Sequence, residues 1–159
     1  MNNIDKLMGV VLDIATRAHI NQKRWDGQPY INHPIKVREI AISNFDKFPN
    51  DDIDKLHVEI VSLWHDIAED VDIKEVALVD ILAEEGFLVR KSDEYYRLLL
   101  ELNIINKNRH ANYRDYIIAA KNNIVARQVK LADIAHNISN LKKGNMRDKY
   151  ELALYILNH

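Results

Sequence analysis

IVARQVKLADIAHNISNL, residues 124–141, carries apolar side chains in nearly every direction of a helical wheel. A helix of that kind is buried on all sides. Asp133 stands in its middle, and Asn137 follows one turn later on the same face. A carboxylate in such a place needs a cation or several hydrogen-bond donors, or it takes up a proton. Lys130 and Arg17 are the side-chain partners to consider, and a metal ion is the alternative.

The chain around this segment is also patterned for helix. It has only four Gly and three Pro, so breakers are few. Residues 4–19 repeat apolar side chains at i, i+3 and i+4 and predict a first helix. NQKRWDGQPYINHP, residues 21–34, is the most turn-rich stretch, with Asp26-Gly27 and two prolines. Pro34 suits the first turn of a second helix ending near Ile42. A polar loop around FDKFPNDD leads into a third helix, about Ile53 to Glu69. Asp72 followed by Glu75 resembles a capping box for a fourth, closed by Gly86. Ser92 starts a fifth, through about Ile104, and two more are expected over 111–121 and 123–141, with Gly144 as a stop. A short amphipathic tail is expected from Arg147. The expected class is all-α, one domain over residues 1–159, with no internal repeat.

Bulk properties narrow the function. At 159 residues, with 47% hydrophobic and 29% charged residues, the chain is of ordinary globular composition. A formal net charge of -2 gives no general attraction to nucleic acid or an anionic membrane. The absence of cysteine excludes disulfides and thiolate metal sites. MNNIDKLMGVVLDIATRAH, residues 1–19, has charges inside its apolar run, unlike a signal peptide, and no stretch approaches the roughly 18 apolar residues of a membrane span. A cytoplasmic protein acting on a small molecule is expected.

WHDIAED, residues 64–70, sharpens that expectation. Ile60, Val61, Leu63, Trp64, Ile67, Ala68 and Val71 share one arc of the wheel, while Ser62, His65, Asp66, Glu69 and Asp70 fill the other. No basic residue falls between Lys55 and Lys74, and like charges at i, i+3 or i, i+4 cost roughly 0.2–0.5 kcal/mol each. A solvated helix face tolerates this; a cleft does so with a bound cation. His33 stands where a turn enters a helix, a rigid place from which to project a ligand. His33, His65, Asp66 and Asp133 together make a two-histidine, two-carboxylate set. Nitrogen and oxygen ligands without sulfur suit Mn, Fe or Zn, and room for waters favours six-coordinate Mn.

These residues carry a family resemblance. WHDIAED, with an upstream histidine and a downstream aspartate, resembles the HD-domain metal-dependent phosphohydrolases. AHINQKRWDGQPYINHPIKV and VKLADIAHNISNL are similar to the opening and closing motifs of the (p)ppGpp hydrolase domain of RelA/SpoT-type enzymes. The resemblance covers roughly residues 10–141, and it implies an HD-type helical bundle. It further implies that His33, His65, Asp66 and Asp133 hold Mn²⁺ and that Glu69 and Asp70 are the acidic pair beside the attacking water. Arg24 matches an arginine that packs on guanine, and Asn137 an asparagine that contacts the nucleotide. The implied reaction releases pyrophosphate from the 3′ position of a guanosine nucleotide. With no room for a synthetase domain, the chain looks like a stand-alone small alarmone hydrolase.

The chemistry suits these residue types. A divalent ion lowers the pKa of its bound water from about 15.7 towards about 7. Carboxylates one turn from its ligands can orient that water and shuttle its proton. A guanidinium suits stacking on a purine.

Three departures from the family pattern put the substrate in question. LELNIINKNRHANYRDY stands where a Val-Thr-Lys element is usual, so a phosphate clamp must come from Lys107, Arg109 or Arg114. Trp25 follows Arg24 where a basic residue is usual, with Lys23 as the compensating cation. Ile134 replaces a basic residue of the closing motif. Competing readings are an HD phosphohydrolase acting on another nucleotide, such as a deoxynucleoside triphosphate, and a catalytically silent nucleotide-binding module. Among the remaining histidines, His19 is expected to bond the turn below it and His136 to support the metal group. His57, His110 and His159 are expected at the surface.

Overall fold

The computed structural model describes residues 3–45 and 52–159. Among them the chain is all helical: α1 Asn3–Ala18, α2 Asn32–Phe45, α3 Asp52–Trp64, α4 Ile67–Asp70, α5 Glu75–Glu84, α6 Asp93–Ile105, α7 Tyr113–Lys121, α8 Ile124–Ser139 and α9 Asn145–Asn158. A short 3-10 turn, Lys107–Arg109, links α6 to α7. Most of the expected FDKFPNDD loop lies outside the described residues.

Caps explain several boundaries. The side chains of Ser92, Asn112 and Asn123 accept the backbone N–H of Tyr95, Asp115 and Ala126, opening α6, α7 and α8. Each such cap is worth about 1 kcal/mol. At the end of α5, Phe87 N–H donates to Leu82 O at 2.9 Å and Gly86 N–H to Ala83 O at 3.1 Å. Gly86 has φ +80°, so this is a Schellman closure at the residue expected from the sequence.

α8, the helix with apolar residues in nearly every direction, is the centre of the packing. α2 and α3 pack most extensively against each other and against α8, while α9 covers α7 and α8. Val125, Ala126, Val129, Ala132 and Ile134 of α8 are buried, together with Lys130 and Asp133. Trp64 is buried beneath them in the same core, and its indole N–H donates to Val11 O at 2.9 Å, tying α3 to α1. No helix among the described residues is long and apolar enough to cross a membrane.

Five expectations need correction. The helix expected to run from Ile53 to Glu69 breaks at His65 and Asp66, where His65 Nδ1 donates to Ser62 O at 2.7 Å. The capping box at Asp72 does not form: the residue before α5 is Lys74, which makes no side-chain cap. Glu75 is instead buried and bonded by Arg109 and Asn106. Gly144 does not stop α8, which ends at Ser139; it directly precedes α9, a 14-residue helix where a short tail was expected. His57 is buried, with Nδ1 2.5 Å from Glu101 Oε2, because a distant carboxylate satisfies it. His110 is half-buried and bonds Ile104 O, whereas His159 is exposed as expected.

Candidate metal centre and adjoining cleft

Three parts of the chain converge on one point. The 19–31 connection folds back through Gly27, φ +85°, whose N–H donates to Arg24 O at 2.9 Å, and Tyr30 N–H donates to Gln22 O at 3.0 Å. That turn delivers Tyr30 and then His33, in the first turn of α2. The α3–α4 break presents His65 and Asp66, and α8 supplies Asp133, His136 and Asn137.

The ligand-capable atoms of His33, His65 and Asp133 all lie within 4.8 Å of one another, and all three residues are buried. His33 Nε2 is 3.0 Å from Asp133 Oδ1 and 3.6 Å from Asp66 Oδ2. His65 Nε2 is 3.0 Å from Asp66 Oδ2 and 3.6 Å from Asp133 Oδ1. Four residues from three separate stretches of sequence thus aim two imidazole nitrogens and two carboxylate oxygens at a common centre.

The hydrogen bonds behind this centre favour lone pairs facing inward. His65 Nδ1 is spent on Ser62 O, and His65 Nε2 is buried without a hydrogen-bond partner. His33 Nδ1 lies 2.7 Å from His136 Nδ1. Burial, reinforced by the charge of His33, lowers the pKa of His136, so its neutral ring suits accepting the His33 proton. An unpartnered buried nitrogen beside carboxylates is the donor set of a divalent cation. The group could therefore bind a metal.

Electrostatics agree with that geometry. Burial opposes a charge on His65, but the Asp66 carboxylate outweighs it and holds the ring pKa well above its ordinary value. Burial would raise the Asp66 carboxyl, yet the charge of His65 draws it down to about 2. Asp133 is held well below the usual carboxylate range against its own burial, first by Lys130. Such a group could hold a divalent ion in place of the proton, with proton release on binding.

Neighbouring side chains hold the carboxylates in place. Tyr30 Oη donates to Asp66 Oδ2 at 2.6 Å; burial and then the Asp66 charge raise the phenol pKa and keep it a donor. Lys130 Nζ donates to Asp133 Oδ2 at 2.8 Å, and Asn137 Nδ2 to Asp133 Oδ1 at 2.9 Å. Of the two expected partners for Asp133, Lys130 is therefore the one in place, while Arg17 pairs with Asp13 at the surface.

A cleft of about 170 Å³ opens beside this centre, lined in part by Asp66, Glu69, Asp70, Asp133 and Asn137. Glu69 is paired with Lys107, whose Nζ lies 3.1 Å away, and Asp70 accepts from Gln22 Nε2 at 3.0 Å. Arg24 Nη2 donates to Asn137 Oδ1 at 3.2 Å. Lys23 is exposed and makes no hydrogen bond or ion pair to these residues. Of the cations considered for a phosphate clamp, only Lys107 reaches the cleft: Arg109 is spent on Glu75, and Arg114 lines a separate groove between α7 and α9. His19 bonds Gln22 as expected of a turn-supporting histidine.

Sequence reasoning missed Tyr113, Tyr116, Lys149 and Tyr150, which also line the cleft. Tyr30 and Gln22 carried a faint signal, lying in the turn-rich segment beside His33. The α9 residues carried none, because their helix was read as a tail.

No family model matches the chain. Relatives do. A guanosine-3′,5′-bis(diphosphate) 3′-pyrophosphohydrolase from Haemophilus influenzae is 31% identical over 142 residues, 84% of this chain and 18% of that protein. One of the same name from Borreliella burgdorferi is 31% identical over 137 residues, 82% of this chain and 18% of its own length. A GTP pyrophosphokinase rsh from Brucella melitensis is 28% identical over 142 residues, 88% of this chain and 17% of that protein.

The chain is a relative of the RelA/SpoT-type enzymes. It spans less than a fifth of the length of these curated relatives. In this RelA/SpoT relative, the four converging residues and Glu69, Asp70, Arg24 and Asn137 stand within the segment that the sequence motifs marked out.

Proposed function

We propose that the chain is a divalent-metal-dependent phosphohydrolase that removes the 3′-diphosphate of guanosine 3′,5′-bis(diphosphate) nucleotides as pyrophosphate, with Mn²⁺ as its metal. The observation that carries this reading is the inward convergence of His33, His65, Asp66 and Asp133, with the buried Nε2 of His65 unpartnered, in a RelA/SpoT relative.

When bound, a divalent ion supplies Lewis-acid activation of water at neutral pH. The chain's own residues do the rest. His33 and His65 offer nitrogen ligands, Asp66 and Asp133 oxygen ligands. Lys130 holds the outer oxygen of Asp133, and Tyr30 bonds the Asp66 oxygen that faces the histidines, so that each carboxylate is fixed in orientation. Glu69 and Asp70 are the groups placed to orient the attacking water, take its proton and return one to the departing 3′ oxygen. Asn137 steadies the Arg24 guanidinium, a plane suited to stacking on guanine.

The test is to incubate the purified protein with ppGpp and Mn²⁺ and resolve the products, with dATP and dGTP in parallel. GDP and pyrophosphate from ppGpp alone are expected. Turnover of the deoxynucleotides alone would transfer the site to another nucleotide class, and turnover of none would remove the proposed reaction.

A further inference from the structure

The 3-10 turn between α6 and α7 grips two carboxylates at once. Lys107, its first residue, meets Glu69 twice: the backbone N–H donates to Oε2 at 3.4 Å, and Nζ lies 3.1 Å from Oε1. Lys107 is the one hydrogen-bond or ion-pair partner seen for Glu69 among the described residues. Asn106 and Arg109, on either side of Lys107, reach instead to Glu75. Asn106 Nδ2 donates to Glu75 Oε1 at 2.7 Å, while Arg109 Nε and Nη2 donate to Oε1 and Oε2 at 3.1 and 2.7 Å. Asn106 Oδ1 also accepts the N–H of Asn108 at 3.0 Å, closing the turn on itself.

The two grips differ in firmness. The Lys107 side chain is 52% exposed, and a solvated lysine–glutamate pair fixes little by itself, because both side chains keep much of their freedom. Glu75 and Asn106 are buried, and the guanidinium fork on the Glu75 carboxylate is charge-assisted and directional. Glu75 therefore fixes the turn from both ends, and the turn fixes where Lys107 presents its two donors to Glu69. Arg109 does not line the cleft beside the metal group; it borders a separate hollow with Val71, Glu75 and Asn106. Any effect of Arg109 on the reaction must then pass through the turn.

We propose that Arg109 and Glu75 are positioning residues for Glu69, acting through Lys107. This rests on the reading of Glu69 as the group that handles the proton of the attacking water. Their part is to keep the Glu69 carboxylate in one place, since misplacing a reacting group by about 1 Å costs rate even when the substrate still binds.

Steady-state turnover of ppGpp with Mn²⁺ by variants of the full chain tests this. Arg109→Met should lower kcat about tenfold, less than the loss of Glu69 itself, with KM within about twofold of wild type and Mn²⁺ content unchanged. Arg109→Lys, which keeps the charge without the fork, should recover part of the loss. Adding Arg109→Met to Lys107→Met should lower kcat little further, because the two changes break one chain of contacts. His57→Phe, which disturbs a different buried cluster, is the control for lost stability alone and should keep its kcat. Unchanged kcat in Arg109→Met, an equal loss in His57→Phe, or independent multiplication of the Lys107 and Arg109 losses overturns the positioning role.

Amide hydrogen exchange at Lys107 reads the same contact without the reaction and should be faster in Arg109→Met than in wild type. Unaltered exchange overturns the anchor, whatever the turnover. Faster exchange in a protein that does not turn over ppGpp keeps the anchored turn and discards the proposed reaction. Turnover with kcat unchanged in Arg109→Met keeps the reaction and discards the positioning role.

Discussion

His65 follows the last residue of α3, and His57 lies about two turns earlier on the same helix; both are buried against carboxylates. Their surroundings differ in kind. Around His57 the negative charge is answered by protein: its Nδ1 meets Glu101, its Nε2 lies 3.5 Å from Glu94, and Arg97 bonds both Glu101 and Asp54. The two nitrogens of His57 point to separate carboxylates and share no centre. Around His65 only one nitrogen is used by the backbone, and the other faces a second histidine and two aspartates. A buried histidine beside an acid is thus no sign of a metal. Convergence of several lone pairs on one point, with one left unpartnered, is.

The largest effect that tests this contrast is removal of a convergent carboxylate. Asp133→Ala should abolish Mn²⁺ binding and turnover, whereas Glu101→Gln in the other cluster should leave metal content at the wild-type level. Equilibrium dialysis with metal analysis of both variants decides it. Next in size, Glu69→Gln should keep its metal and lose about 10²-fold or more in kcat, as expected for a lost acid–base group; an unchanged kcat would remove Glu69 from the mechanism.

The His57 cluster should respond in stability instead. His57→Phe leaves Glu101 short of one partner and should cost on the order of 3 kcal/mol in urea unfolding. Its Mn²⁺ affinity should stay that of wild type.

The smallest effect concerns Glu75. Burial would raise its carboxyl, but hydrogen bonds from Arg109 and then Asn106 hold it below the usual value. Because the folded pKa is the lower one, its stabilising contribution is complete above the ordinary Glu pKa of about 4.3 and fades as pH falls through the folded value. Unfolding of Glu75→Gln between pH 3 and 7 should show a flatter acid limb than wild type. Identical slopes would contradict this.

How much was legible depended on whether the signal was local. The 124–141 segment filled its helical wheel with apolar residues, so burial of Asp133 could be read directly. Ser92 and Gly86 act on neighbours a few residues away, and their helix boundaries were legible too. The break at His65 and Asp66 was not. Apolar spacing continues unbroken to the buried Ile67, and a ring bonding the carbonyl three residues back leaves no trace in periodicity.

Glu75 and His57 failed for the opposite reason. Asp72 and Glu75 have the spacing of a capping box, but Arg109 is 34 residues away and wins the carboxylate. His57 looked superficial because Glu101, 44 residues on, could not be paired with it by pattern. In the site, the motif residues were legible as residue types in order, whereas Lys149, Tyr150 and Tyr113 reach the cleft only through the packing of α9 and α7.

The central claim is that the His33, His65, Asp66 and Asp133 group is a metal centre, and the most direct test is Mn²⁺ stoichiometry in wild type and His65→Ala, followed by electron paramagnetic resonance. One tightly bound Mn²⁺ per wild-type chain, lost in His65→Ala while the helical circular dichroism persists, is the predicted result. Full Mn²⁺ occupancy with an unchanged spectrum in His65→Ala would contradict it.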